Sequence, residues 1–135
     1  MKIYFAGSLR GGREDVELYG HIVNLLGRHG QVLTEHVGQH DLGEDDLSDE
    51  AIFRRDMAWL TEADVLVAET TVPSHGVGYE IGRAEALSKP VLCLHRPAAG
   101  RRLSAMLAGN PNVRCESYRN LEDLGPLFDA FLAGH

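Results

Sequence analysis

The sequence predicts an α/β protein with a flavodoxin-like, doubly wound parallel sheet of five strands in the order 2-1-3-4-5 and with helices on both faces. Short apolar runs of strand length alternate with longer segments of helical period, which is typical of βαβ units. Several of the short runs lack polar alternation, as expected for strands that are covered on both faces. The 135 residues suffice for one domain with a single core, and we expect residues 1–135 to form it.

The predicted strands cover residues 3–6, 31–34, 65–68, 90–94 and 113–116. Right-handed crossovers and short connections between them favour the strand order given above. In sheets of this type, ligands bind at the carboxyl ends of the strands. We therefore expect functional residues directly after these runs.

Four predicted helices lie between and after the strands, at residues 14–28, 48–61, 79–88 and 121–133. The first helix places Val16 and Tyr19 on one face, and Gly30 supplies a stop just beyond its end. Asn120 precedes the last helix as a candidate cap. The acidic, glycine-bearing stretch 38–46 has no hydrophobic period and predicts a surface loop.

Charge and cysteine content narrow the class of protein. Thirteen Lys and Arg against 20 Asp and Glu give a formal charge of -7, which argues against binding to a nucleic-acid polymer. Binding of a single nucleotide is compatible with this negative charge, because it needs only a local group of hydrogen-bond donors. Cys93 and Cys115 lack partners at metal-ligand spacing, so we expect reduced, buried thiols. The sequence shows neither a leader pattern nor an apolar membrane span, which predicts a cytoplasmic protein without a membrane partner.

A glycine-rich segment, Gly7-Ser8-Leu9-Arg10-Gly11-Gly12-Arg13, follows the first predicted strand and precedes the first predicted helix. Glycines here let the backbone approach a ligand, and the N–H groups at the helix start attract anions. The segment lacks the lysine of a Walker A loop and also fails the G-x-G-x-x-G spacing. A tight turn carrying two surface arginines is an equally good interpretation of this segment alone.

Glu80 lies in the segment Ser74-His75-Gly76-Val77-Gly78-Tyr79-Glu80, which enters the third predicted helix. A carboxylate in the first turn of a helix is stabilised as the anion, which suits a nucleophile better than a proton donor. On position alone, an ordinary first-turn glutamate is the favoured interpretation.

Several other polar residues allow two interpretations. Asp56 falls four residues from both Ile52 and Leu60, so it lies on an apolar stripe, where it is either salt-bridged or part of a site. His36 and His40 have an i, i+4 spacing without an H-E-x-x-H pattern, which makes a metal site improbable and favours a surface or strand-end imidazole at position 36.

Two further polar residues are weaker candidates. Ser104 near a helix start predicts a cap. Glu69, just after the third predicted strand, either lines a pocket mouth or is solvated.

As an ordered set, these segments closely resemble the 2'-deoxynucleoside 5'-phosphate N-hydrolases of the nucleoside 2-deoxyribosyltransferase superfamily. The resemblance runs from Lys2 to about Met106 and fades beyond. It is carried by Tyr4-Phe5-Ala6-Gly7-Ser8-Leu9-Arg10-Gly11-Gly12-Arg13, Leu33-Thr34-Glu35-His36-Val37, Asp56 with Trp59-Leu60, Gly76-Val77-Gly78-Tyr79-Glu80-Ile81-Gly82-Arg83 and Leu103-Ser104-Ala105-Met106. The loop 38–49 and the residues after 109 match no family pattern, and His75 adds a titratable group.

The resemblance implies a homodimer that uses a small-molecule nucleotide substrate and a retaining double displacement, with no metal or organic cofactor. It implies that Glu80 attacks C1' of the deoxyribose, that Tyr4 orients this nucleophile, and that Asp56 assists the leaving base. A raised pKa on its apolar face would suit Asp56 to act as an acid. Ser74, and Ser104 from the neighbouring subunit, are implied to bind the 5'-phosphate. The implied substrate-binding residues are Gly7, Ser8, Leu9, Arg10, Gly11, Gly12, Arg13, His36, Ser74, Gly76, Ser104, Ala105 and Met106, with Arg10 near the base.

Three alternatives stay open at this point. A nucleoside 2-deoxyribosyltransferase shares the covalent step and passes the sugar to another base. A ribonucleotide N-hydrolase of the CMP type differs in the sugar. A non-catalytic nucleotide sensor keeps the pocket and lacks turnover, although Tyr4, Asp56 and Glu80 together exceed what binding alone requires.

Overall fold

The computed structural model describes residues 1–9, 15–97 and 100–135. Its centre is a five-stranded sheet in the order β2-β1-β3-β4-β5, in which every neighbouring pair is parallel. This confirms the predicted doubly wound architecture. The strands are β1 (Lys2–Ala6), β2 (Gln31–Val32), β3 (Val65–Glu69), β4 (Val91–His95) and β5 (Arg114–Ser117).

The edge strand β2 is shorter than its apolar run predicts, because a side chain takes over the pairing beyond Val32. The Thr34 hydroxyl accepts the backbone N–H of Phe5 at 2.9 Å and donates to the Phe5 carbonyl at 2.6 Å. A single buried hydroxyl thus satisfies both backbone groups that a longer β2 would have paired.

Helices and short 3-10 turns connect and cover the strands within the described ranges. The α-helices are α1 (Val16–Leu26), α2 (Asp49–Glu62), α3 (His75–Ala86), α4 (Ala105–Ala108) and α5 (Leu124–Leu132), and the 3-10 turns are Glu35–Gly38 and Leu121–Asp123. Asn120 is the N-cap residue of a 3-10 turn that precedes the last α-helix, and its N–H donates to Asp123 Oδ2 at 3.1 Å. None of the helices in the described ranges is long and apolar enough to cross a membrane.

Helix α3 begins four residues earlier than predicted, and the predicted start at Tyr79 is wrong. Ser74 is extended, with φ -150° and ψ 128°, and its hydroxyl accepts the Val77 N–H at 3.3 Å, so it is the N-cap. Glycines disfavour a helix interior, and Gly76 and Gly78 lie in the part of α3 that precedes the predicted start. Burial of Val77 and Ile81 against the sheet overrides that local preference.

The strands separate two apolar layers, because successive side chains point to opposite faces. Ile3, Phe5, Val65 and Val67 face the layer that contains α1 and α5. The second layer contains Tyr4, Ala6, Leu66 and Ala68 with residues of α2 and α3, including Leu60 and Ile81. Tyr4 is therefore held in the core on the face that α2 and α3 cover.

The two cysteines lie opposite each other on β4 and β5 and form no disulfide. Cys93 is buried as predicted, whereas Cys115 is only partly buried, because β5 is the edge strand.

Candidate active site

A cavity of about 340 Å³ opens at the carboxyl end of the sheet, on the face that α2 and α3 cover. A smaller space of about 30 Å³ lies beside it, next to β1 and the 3-10 turn Glu35–Gly38. Gly7, Leu9, Asp56 and Glu80 line both. The larger cavity is lined by Gly7, Leu9, Glu44, Asp49, Ile52, Phe53, Asp56, Met57, Ser74, Gly76, Val77, Tyr79 and Glu80. Mixed walls of this kind, apolar with a few converging polar groups, are typical of small-molecule sites.

Tyr4 and Glu80 are joined directly, because the Tyr4 hydroxyl donates a hydrogen bond to Glu80 Oε2. Burial raises the pKa of Glu80 to about 7, the bond from Tyr4 opposes this rise, and the charge of Asp56 adds to it. Burial and then the Glu80 charge raise the pKa of Tyr4 well above its ordinary value. Tyr4 therefore remains protonated and serves as the donor, while Glu80 titrates near neutral pH.

The helix dipole is not what holds Glu80 as an anion. Since α3 begins at His75, Glu80 lies in the second turn rather than the first. The influence of the helix dipole falls off within the first turn. The predicted reason for an ionised Glu80 is therefore wrong, and the Tyr4 hydroxyl takes that role from across the core.

Asp56 is salt-bridged and also lines both spaces, so the ion pair does not exclude a place in the candidate site. Arg55 donates through Nε to Asp56 Oδ1 at 3.0 Å. Burial raises the pKa of Asp56, and Arg55 opposes that rise by favouring the carboxylate. The predicted direction of the shift is confirmed.

His36 is half-buried rather than at the surface, which corrects the first interpretation of this residue. Its ring centroid lies 5.6 Å from that of Trp59, and its Nε2 lies 3.4 Å from Glu44 Oε2. Burial, followed by the nearby Arg55 charge, lowers the pKa of His36, so the imidazole is neutral at pH 7. It lines the smaller space with Asp56 and Glu80.

The stretch 38–46 is not a wholly solvated surface loop. Gly38 ends a 3-10 turn, and Glu44 is only 7% exposed. Its carboxylate pairs with Arg55 and lines the larger cavity. The burial of Glu44 could not be predicted from hydrophobic periodicity, because a buried ion pair produces no apolar pattern in the sequence.

Glu69 neither lines the cavity mouth nor is solvated, so both interpretations of it are wrong. It is 1% exposed, at the end of β3, on the same face as Val65 and Val67. It accepts hydrogen bonds from the Tyr118 hydroxyl, the Thr71 N–H at 2.7 Å and Arg96 Nε at 3.3 Å. This is a structural ion network on the other side of the sheet.

The structure brings together part of the predicted substrate-binding set. Gly7, Leu9, Ser74 and Gly76 line the larger cavity. Ser8 is buried at 2% exposure, with its N–H donating to the Tyr19 hydroxyl at 3.1 Å. The positions Arg10, Gly11, Gly12 and Arg13 lie outside the described residues.

The segment Ser104-Ala105-Met106 stands apart from the cavity of its own chain. Ser104 caps α4, as the simpler interpretation predicted, by accepting the Met106 N–H at 3.2 Å. All three residues are exposed, and Met106 is 80% exposed.

Sequence reasoning missed most of the apolar wall. Ile52 and Phe53 on α2 and Tyr79 on α3 line the cavity, and the Phe53 and Tyr79 rings lie 6.0 Å apart. Ile52 and Phe53 lie four and three residues before Asp56, and this spacing was the available signal on α2, because residues three and four apart share a helix face. Tyr79 directly precedes Glu80, so helical spacing gives no such signal for it.

These features define the class of protein. The fold is a doubly wound parallel sheet, and the carboxyl groups of Asp56 and Glu80 are among those that line one cavity, as in enzymes that cleave or transfer glycosyl groups. The family model described as nucleoside 2-deoxyribosyltransferase matches residues 3–117, and the chain belongs to this family.

Individual relatives agree with this assignment. The chain is 60% identical over 111 residues to the 5-hydroxymethyl-dUMP N-hydrolase of Mus musculus, a match that covers 79% of this chain and 64% of the mouse protein. It is 52% identical over 128 residues to the 5-hydroxymethyl-dUMP N-hydrolase of Danio rerio, covering 90% of each chain.

Solved structures support the fold. The CMP N-glycosidase of Clostridium botulinum superposes with a TM-score of 0.68 at 18% identity, covering 97% of this chain and 100% of that one. The 2-deoxyribosyltransferase of Bacillus psychrosaccharolyticus gives a TM-score of 0.70 at 19% identity, covering 98% and 96%.

Proposed function

We propose that the protein hydrolyses the N-glycosidic bond of 2'-deoxynucleoside 5'-monophosphates, releasing the free base and 2-deoxyribose 5-phosphate. The observation that carries the proposal is the Tyr4-bonded carboxyl group of Glu80, which faces a nucleotide-sized cavity together with Asp56. The names of relatives with 52% and 60% identity describe hydrolysis of this kind of bond.

Glu80 is the nucleophile in this scheme. Tyr4 occupies Oε2, which leaves Oε1 to form a bond with C1' as the bond from C1' to the base nitrogen breaks. Positive charge develops on C1' and O4' in the transition state, and a nearby carboxylate stabilises it. Water then attacks C1', its hydroxyl remains on the sugar, and Glu80 is released as a carboxylate.

Asp56 assists departure of the base. The base leaves with the bonding electrons of the broken bond, so it gains a proton or accepts a hydrogen bond. Burial raises the pKa of Asp56, which favours a proton on this side chain, and Asp56 lines both spaces beside Glu80. In the second step the same group takes the proton of the attacking water.

The 5'-phosphate binds at the start of α3. Ser74 and Gly76 line the cavity there, and α3 is a helix of 12 residues whose first N–H groups favour an anion. The cavity wall also contains Glu44, Asp49, Asp56 and Glu80. Carboxylates repel a phosphate, which favours its binding at the N–H groups of α3 and leaves the base to lie beside Asp56.

The site is completed by a second copy of the chain. Phe53 and Tyr79 at the cavity wall are 50% and 49% exposed and their rings lie 6.0 Å apart, so they form an exposed apolar patch that a partner can cover. The exposed Ser104 of one copy reaches the phosphate end of its neighbour's cavity. Mixing two inactive variants, Glu80→Gln and Ser104→Ala, tests this, because a mixed dimer contains one intact site. Recovered activity supports shared sites, and no recovery from dimers shown to have exchanged subunits contradicts them.

Product analysis tests the main proposal. Wild-type protein is expected to release free base from a panel of deoxynucleoside monophosphates, and Glu80→Gln is expected to release none while remaining folded. Glu122→Gln, an exposed glutamate, serves as the matched control. Acid-quenched wild-type protein should carry the mass of 2-deoxyribose 5-phosphate on the peptide that contains Glu80. Retained turnover in Glu80→Gln would contradict the assignment.

Base transfer is the second candidate, because the matching family model is named for deoxyribosyl transfer. The covalent step is the same, and the acceptor differs. Adding a free base as acceptor separates the two, since a transferase forms a new nucleotide and a hydrolase forms only the sugar phosphate. Comparing CMP with dCMP in the same assay tests the sugar preference.

A further inference from the structure

Arg55 occupies an unusual place behind the cavity wall. Its guanidinium contacts Asp56 Oδ1 through Nε at 3.0 Å and through Nη2 at 2.9 Å. The same Nη2 donates to Glu44 Oε2. Asp56 and Glu44 both line the larger cavity, so one cation joins two carboxylates that face the same space.

The position of Arg55 is fixed from a further direction. Its guanidinium carbon lies 4.8 Å from the centroid of the Trp59 ring, one turn further along α2. A planar guanidinium can stack on an aromatic face and still donate from its edge to two carboxylates. A lysine ammonium has the charge without the fork, so this arrangement is specific to arginine.

We propose that Arg55 is a positioning residue for departure of the base. By bridging Glu44 and Asp56, it holds the Asp56 carboxyl group toward the cavity and couples its protonation to the loop that contains Glu44. Oδ1 is held by Arg55 on the protein side, which leaves Oδ2 for the substrate. The inference rests on the proposed function, because it makes Arg55 the residue that positions Asp56, the group that assists the leaving base.

Groups from several elements face Asp56 and set the sign of each expected change. Arg55 favours the charged form of Asp56, as does His36 when it is protonated, whereas Glu44 disfavours it. Glu80 on α3 and Tyr4 on β1 lie on the other side, coupled to Asp56 by charge. Removing the guanidinium therefore raises the pKa of Asp56, and neutralising Glu44 lowers it. A residue that only braced the loop would produce no opposite pair of shifts.

The experiment measures the pH profile of kcat for wild-type protein and for Arg55→Gln, Arg55→Lys and Glu44→Gln. Asp56→Asn identifies the limb of the profile that belongs to Asp56, because that limb disappears. Arg54→Gln is the matched control, since Arg54 is 76% exposed and pairs at 2.6 Å with Glu50 on the outer face of the same helix. The control is expected to match wild type.

In Arg55→Gln the limb is expected to move to higher pH by about one pH unit, with kcat about tenfold lower and KM nearly unchanged. In Glu44→Gln it is expected to move to lower pH. Arg55→Lys is expected to keep the limb near its wild-type position, because the charge is kept, and to have a lower kcat, because the fork is lost. A limb that stays in place, or moves in the same direction, in Arg55→Gln and Glu44→Gln overturns the inference.

A second measurement does not depend on turnover. In a Glu80→Gln background, carbon-13 NMR of the labelled aspartate carboxyl groups follows the titration of Asp56 directly. The same opposite shifts are expected on adding Arg55→Gln or Glu44→Gln, and their absence overturns the inference. Failure of the proposed function is distinguishable, because it appears as retained base release in Glu80→Gln, whatever the Arg55 variants do.

Discussion

Replacing Glu80 by Gln is expected to stabilise the protein while abolishing its activity. The rise of the Glu80 pKa from 4.5 to about 7 means that folding disfavours the carboxylate. At about 1.4 kcal/mol for each pH unit, this rise corresponds to about 3 kcal/mol of lost stability above neutral pH. Because Glu80 keeps some contact with solvent, we take about half of that, roughly 1.5 kcal/mol, as the expected gain.

The sign of the pH dependence follows from the direction of the shift. The folded protein binds a proton on Glu80 that the unfolded chain has released, so stability is present below the unfolded pKa of 4.5 and is lost as the pH rises through about 7. Glutamine is neutral at every pH and can still accept the Tyr4 hydrogen bond. The two proteins are therefore expected to be equally stable in acid and to diverge as the pH rises.

Thermal unfolding of wild type and Glu80→Gln at several pH values measures this difference. For a chain of this size, about 1.5 kcal/mol corresponds to a Tm about 5 °C higher for the variant at about pH 8.5. Glu122→Gln, at an exposed position, controls for removal of one negative charge. An equal or lower Tm for Glu80→Gln above neutral pH would refute the claim that burial raises this pKa.

Three further predictions concern the contacts around the site. Tyr4→Phe removes the donor that lowers the Glu80 pKa, so the acidic limb of the kcat/KM profile is expected to move to higher pH by about one pH unit. Gly7→Ala is expected to lower the free energy of unfolding, measured by chemical denaturation, by about 1–3 kcal/mol, because the new Cβ would lie 2.9 Å from the Tyr19 ring. Gly82→Ala is the control and should not destabilise the protein, because its Cβ would enter open space on helix α3. Arg96→Ala is expected to lower the free energy of unfolding by about 3 kcal/mol, since it strips a cation from the buried Glu69; Arg114→Ala, from an exposed pair with Glu116, should have little effect.

The fold was accessible from the sequence because its signals are short-range and repeated. Strands such as Val65–Glu69 and Val91–His95 do not alternate between polar and apolar residues. They are buried along their whole length, because helices cover both faces of the sheet. The predicted bounds of strands and helices were wrong where a single side chain determines where the element begins or ends. Thr34 completes the pairing beyond β2, and Ser74 starts a helix that contains two glycines in its first turns.

The candidate site was only partly accessible, for a reason that Arg55 illustrates. Residue types at helical spacing placed Asp56 on the buried face of α2, and the family resemblance indicated the roles of Tyr4 and Glu80. The bridge from Arg55 to Glu44 spans an irregular loop without a periodic pattern, so its geometry exists only in three dimensions. From the sequence alone, the members of a buried ion pair are predicted to lie at the surface. A charged side chain is usually exposed, and its buried partner cannot be identified without the structure.

The charge on Glu80 has a physical origin that neighbouring residues do not reveal. A first-turn dipole was the local explanation, and it fails because α3 begins at His75. The donor that favours the carboxylate is Tyr4, which is 76 residues away in sequence and is brought into contact by the sheet. Burial beside Asp56 raises the pKa of the same group that Tyr4 lowers, so Glu80 titrates near the pH at which it must act. The environment that makes Glu80 a reactive carboxylate is thus also the source of the instability that glutamine relieves, so the stability gained in Glu80→Gln comes only with the loss of activity.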